Sequence, residues 1–108
     1  MTFSSLASED RSILSLMKSV DYGRLEHLAI RDGHVVRTKN SRMIRFVKLG
    51  VKEVHRVGSR IDGDFMLTEK HVEFLTMMHR IGNGIINTIQ IQAGLPVAIE
   101  TEEAIAMI

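Results

Sequence analysis

Cysteine is absent from the 108 residues, which excludes a disulfide framework, a thiolate zinc site and a cysteine nucleophile together. Aromatics are few, four Phe and one Tyr, so the core has to rest on Ile, Leu, Val and Met. No apolar run approaches the roughly 18 residues that a membrane helix needs. The opening MTFSSLASEDRSI has no basic region followed by an apolar run, so no signal peptide is expected. A cytoplasmic, bacterial protein is the expectation. What is present is ordinary for a folded chain. Apolar residues make up 44% and charged residues 25%, enough to fold as one domain.

The chain repeats itself. Sliding it until Ser12 lies over Glu73 sets 12–47 on 73–108 without a gap. The identities are Leu14/Leu75, Met17/Met78, Gly23/Gly84, Ile30/Ile91, Gly33/Gly94, Val36/Val97 and Ile44/Ile105. Each copy reads as a helix followed by a hairpin. In the first, Ser8 is placed to cap the helix, Glu9 and Asp10 sit in the positively polarised first turn, and Ile13, Leu14, Leu16, Met17 and Val20 form an apolar face. In the second, Thr68 caps, Leu67 and Val72 occupy hydrophobic-staple positions, and Val72, Leu75, Met78 and Ile81 continue the face.

Gly23 and Gly84 follow the helices, where a left-handed residue can end them. Strands are expected over 25–31 and 85–92, the second with Ile85, Ile89 and Ile91 on its apolar side. Asp32-Gly33 is a strong two-residue hairpin signal, and Ala93-Gly94 is a weaker one. Return strands follow at 34–38 and 95–100; Pro96, lacking an amide hydrogen, places the latter on an edge or leaves its start unpaired. A third strand is expected over 42–49, and 104–108 reads as its counterpart or as a short helix. A unit of about 36 residues cannot bury enough apolar surface to fold alone. The expected fold class is therefore α+β: two α-β-β(-β) repeats, 8–49 and 65–108, related by a pseudo-twofold. Their helices pack on an antiparallel sheet, and a basic connector, 50–64, joins them.

The order helix, Tyr22-Gly23, alternating strand with Ile30, Asp32-Gly33, Val35-Val36 and then Arg42–Arg45 ("RMIR") resembles the YezD-like family of small bacterial proteins of unknown function. Members are about half this length and carry one such unit. The second copy departs from the pattern: Asn83 replaces the tyrosine, Ala93 replaces the aspartate, and TEEAIA is acidic where the family tends to be basic. The resemblance implies a small α+β scaffold, here duplicated in tandem, and supplies no catalytic residues.

Catalytic and metal signatures are scarce. The five histidines, His27, His34, His55, His71 and His79, contain no H-E-x-x-H and no i, i+4 pair, and they read as solvated surface groups, so no metal site is expected. Asp62–Asp64 ("DGD") lacks the later ligands of a calcium loop. Gly82–Gly84 ("GNG") follows a helix instead of preceding one, the wrong order for a phosphate cradle. No enzyme and no cofactor is expected.

Charge gives the one functional direction. Residues 31–60 hold nine Lys/Arg against two acids, net +7, and the remainder five against eleven, net −6. Arg37, Lys39, Arg42, Arg45, Lys48, Lys52, Arg56 and Arg60 are the candidate contacts for an anionic partner, nucleic acid first. With Phe46 as the one aromatic among them, base stacking is poorly supplied. The alternative is a protein-interaction adaptor or inhibitor, of a kind phages carry, docking through a sheet edge or the basic face. No membrane partner is expected, and the chain would act as monomer or homodimer.

Overall fold

The computed structural model describes residues 2–50, 66–103 and 105. A short 3-10 turn (Phe3–Ser5) leads into α1 (Ser8–Val20), β1 (Gly23–Arg31) and β2 (His34–Arg45); α2 (Glu69–Ile81), β3 (Gly84–Gln92) and β4 (Leu95–Glu102) follow. The protein is α+β: four antiparallel strands in the order β2-β1-β3-β4, with two helices packed against the sheet. The offset that sets 12–47 on 73–108 also relates element starts, Ser8 to Glu69, Gly23 to Gly84 and His34 to Leu95.

The helices form where apolar side chains recur at spacings of three and four. Ile13, Leu14, Met17 and Val20 are the buried stripe of α1. Its N-cap is Ala7, not Ser8; the Ser8 hydroxyl donates instead to the Glu9 carboxylate at 2.8 Å. Thr68 does cap α2. Its hydroxyl accepts from the His71 amide at 3.3 Å, and its own amide donates to His71 Nδ1 at 3.2 Å. This is a capping box with imidazole in the role usually taken by Glu or Gln. The buried stripe of α2 is His71, Phe74, Leu75 and Met78, and Val72 is exposed, so Phe74 replaces Val72 on the inward face.

Both helices end short of the glycines that the sequence offers as terminators. Asp21 (φ 64°, ψ −68°) and Gly82 (φ 77°, ψ −61°) are the centres of tight γ-turns, with Tyr22 N–H donating to Val20 O at 2.8 Å and Asn83 N–H to Ile81 O at 2.9 Å. Gly23 and Gly84 are therefore strand residues rather than turns. Gly23 is required for a different reason: a Cβ there would run into the Ile44 carbonyl oxygen of β2. The turns at Asp32-Gly33 (φ 51° and 81°) and Ala93-Gly94 (φ 53° and 77°) have positive φ at both central residues, as a type I′ hairpin needs. Each hairpin tip also reaches the opposite helix corner: Gly33 N–H donates to Gly82 O at 2.7 Å, and Gly94 N–H to Asp21 O at 2.8 Å.

The sheet registers are specific. At its centre, β1 and β3 pair from Gly23↔Ile91 to Ile30↔Gly84. The β1–β2 register shifts between Glu26 and Leu28, and the β3–β4 register shifts between Ile86 and Thr88. These bulges move the inward positions out of simple alternation. Leu25, Leu28 and Ile30 are buried on β1, and Ile86, Ile89 and Ile91 on β3, whereas Ile85 is 46% exposed. The strict alternation that would place Ile85 inward is thus broken within the strand. The return strand 34–38 and the third strand 42–49 are one strand, β2, which ends at Arg45. Residues 104 and 106–108 lie outside the described residues, as does most of the connector, with His55 and Asp62–Asp64 in it.

Among the described residues the buried apolar side chains make a single cluster, Ile13, Leu14, Met17, Val20, Leu25, Leu28, Ile30 and Val35 from the first half and Phe74, Leu75, Met78, Ile86, Ile89 and Ile91 from the second. Met17, Val20, Met78, Ile86 and Ile89 are fully enclosed. One interior is shared by the two halves, and β1–β3 pairing carries it across the middle of the sheet.

Candidate anion-binding surface and a histidine–aspartate cluster

The candidate cations fall on and just after β2, which among the described residues is an edge strand bonded on one side only. Between Arg37, opposite Leu28, and Arg42, opposite Glu26, the strand swings outward while β1 advances by a single unpaired residue, His27. His27 has φ 60°, and its carbonyl anchors the swing, accepting from Thr38 Oγ1 at 3.0 Å and from Ser41 Oγ at 2.6 Å. Two amides of the bulge are also satisfied internally, Thr38 N–H by Ser41 Oγ and Asn40 N–H by Thr38 Oγ1. The result carries Lys39 and Asn40 at the exposed rim of an open depression of about 450 Å³ lined by His27, Lys39, Asn40, Ser41 and Arg42.

The other cations are distributed on both sides of the sheet. Arg42 is exposed on the face away from the helices and bonds Glu26 at 2.9 Å, beside Arg24 at 2.8 Å. Arg24, and after it Arg42, hold the Glu26 carboxyl below the usual carboxylate range. Arg37 turns toward α1, 3.5 Å from Ser12 Oγ, at the mouth of an apolar cleft of about 520 Å³ between α1 and β2. Arg45 is half-buried against the end of α1, donating to Ser19 O at 3.0 Å; a guanidinium there complements the negative pole of the helix, so Arg45 is a structural cation. Lys48 is exposed beyond β2. Lys52, Arg56 and Arg60 lie outside the described residues.

The sheet is polarised as a whole. The β1–β2 hairpin carries six cations (Arg24, Arg31, Arg37, Lys39, Arg42, Arg45) against Glu26 and Asp32, while the β3–β4 hairpin carries no cation and two acids, Glu100 and Glu102. The two hairpins occupy opposite halves of the strand order, so one end of the sheet is basic and the other acidic.

A second constellation gathers residues that sequence spacing keeps apart. Asp10, in the first turn of α1, is buried. Its Oδ1 lies 3.0 Å from His34 Nδ1 and its Oδ2 3.7 Å from His79 Nε2. The two imidazoles stand edge to face, 5.4 Å apart at 79°. The hydrogen bond to Asp10 raises the His34 pKa above its ordinary value against the opposing effect of burial. Three elements supply this cluster, so no local motif announces it. The one signal in the sequence is an acid placed in an apolar stripe, Asp10 in step with Ile13, Leu14 and Met17.

No family model matches the chain, and neither any curated protein nor any solved structure is significantly similar to it. No helix among the described residues is long and apolar enough to cross a membrane.

Proposed function

We propose that this is a non-enzymatic binding module, cytoplasmic and acting as monomer or homodimer, whose basic hairpin and following segment contact the phosphates of nucleic acid. The observation that carries the reading is the charge split between two hairpins of one sheet, six cations against two acids on one and none against two on the other. Phosphate recognition asks for exposed cations spread along a surface, without a pocket. Lys39 on the bulge, Arg37 and Arg42 beside it, Arg31 at the hairpin tip and Lys48 beyond the strand are all exposed.

The same reading treats the chain as a fused pair of YezD-like α-β-β units related by a pseudo-twofold. In support, every β1–β3 pair except Glu26↔Thr88 is returned when each residue is exchanged for its counterpart in the other copy: Gly23↔Ile91 becomes Gly84↔Ile30. The reciprocal bonds from Gly33 to Gly82 and from Gly94 to Asp21 obey the same exchange. Duplication followed by divergence would free one hairpin to become basic while the other kept the core closed.

Fluorescence anisotropy with duplex DNA, duplex RNA and single strands, at low and moderate salt, tests the proposal. Binding at low salt is expected, weakening as salt rises. A triple variant Arg37→Ala, Lys39→Ala, Arg42→Ala should reduce the log–log salt slope by about 3, roughly one per lost phosphate contact. Absence of binding at low salt, or an unchanged slope, would refute it. The outer edges of β2 and β4 pair with no strand among the described residues, which favours protein docking as the second reading. A partner that survives nuclease treatment of the lysate would favour that one.

A further inference from the structure

Asp10, His34 and His79 come from the start of α1, the start of β2 and the end of α2, and one donor atom of each lies within 4.8 Å of the other two. The Asp10 carboxylate faces both rings, Oδ1 at 3.0 Å from His34 Nδ1 and Oδ2 at 3.7 Å from His79 Nε2, distances near the roughly 3.3–3.5 Å between donor atoms around a tetrahedral cation whose bonds are about 2.0–2.1 Å. We propose that these three side chains bind one divalent transition-metal cation of the zinc class, fastening the two helices to β2.

Two imidazoles and one carboxylate suit zinc and its neighbours and not magnesium or calcium, which take oxygen ligands. Burial is graded across the site: the Asp10 side chain is 5% exposed, that of His34 28% and that of His79 54%. The anionic ligand is thus held inside, where a positive charge is most needed, and the outer side is open for water or a further donor at the fourth position. The rings stand edge to face instead of stacking, which lets both present nitrogens to the same carboxylate.

Among the described residues the site occurs once. In the other copy, the counterparts of Asp10 and His34 are His71 and Leu95, and Lys18 is the counterpart of His79. An ammonium and an aliphatic side chain replace two of the three ligands there. The corresponding corner is closed differently, with Lys18 packed beside Gly94 as His79 is beside Gly33. The expected stoichiometry is therefore one cation per chain. The inference is independent of nucleic-acid binding.

The test is titration of the metal-stripped full chain with zinc chloride, followed by calorimetry and native mass spectrometry. One zinc per chain at micromolar or tighter affinity is expected, with a rise in melting temperature. His79→Ala, at an exposed position that folding tolerates, should weaken binding by more than about tenfold, and Asp10→Asn should do the same. His27→Ala, on the exposed strand bulge, should bind as the parent does. No zinc bound to the parent, or parental affinity in His79→Ala, would overturn the site and leave Asp10–His34 as an ion pair only.

Discussion

Asp10 and His71 hold the same place in α1 and α2, each at the first position of an otherwise apolar helical stripe, and each is buried. The two solve the same problem differently. Asp10 takes imidazoles from two other elements. His71 turns back on its own helix, its Nδ1 accepting from the Thr68 amide, and burial lowers its pKa. An accepting nitrogen has to be unprotonated, so the geometry and the shift agree. The sign follows: the unfolded imidazole titrates near 6.5 and the folded one below that. The stabilising contribution is complete above about pH 6.5 and is lost as pH falls through that value toward the folded one. His71→Gln, which keeps a capping side chain at the same position, should flatten the loss of stability between about pH 7 and 5 relative to the parent in urea unfolding. An unchanged pH dependence would show that another group controls that window. Reading the sequence for surface histidines misses both residues, because the polar side chain at the head of an apolar stripe is the signal and not the histidine count.

At the scale of elements, the helices and hairpins are legible because they rest on local chemistry: Glu9 and Asp10 in a first turn, Thr68 as a cap, Asp32-Gly33 as a tight turn. Junctions are less legible. The sequence marks Gly23 and Gly84 as helix terminators, yet the chain reverses at Asp21 and Gly82, where γ-turns aim the carbonyls at the opposite hairpin tips. Asp21 is not glycine, so its positive φ is strained. Gly82 has the same conformation, and a methyl group added to its Cα would meet nothing within 4 Å. Gly82→Ala should therefore cost about 1–2 kcal/mol by backbone strain alone. Asp21→Gly should stabilise by a smaller amount, because the added freedom of the unfolded chain offsets part of the relief. Equilibrium unfolding of the pair checks this, and effects of the same sign would contradict the shared corner. Inward and outward positions on β3 are misread for a related reason. The bulge near Asn87 shifts the pattern, burying Ile86 and exposing Ile85, and bulges leave no residue signature when no glycine marks them.

At the scale of the whole molecule, the constant offset between 12–47 and 73–108 reads directly from the sequence, and it relates the starts of α1 and α2, of β1 and β3, and of β2 and β4. Which cations share a surface does not, because β2 directs Arg37 and Arg45 toward α1 and Arg42 to the opposite face. The run of positive charge is thereby divided into one structural cation, Arg45, and an exposed set around the bulge. The zinc-class cluster is farther still from sequence reasoning, since its donors are brought together only when hairpin tip and helix ends meet. Phosphate contacts are expected on the basic hairpin and not on its acidic counterpart, and the proposed nucleic-acid binding depends on that placement. Amide chemical-shift mapping during titration with a short nucleic-acid duplex tests it most directly. The perturbed amides should concentrate at residues 31–42; perturbations centred on 84–102, or none at low salt, would contradict it.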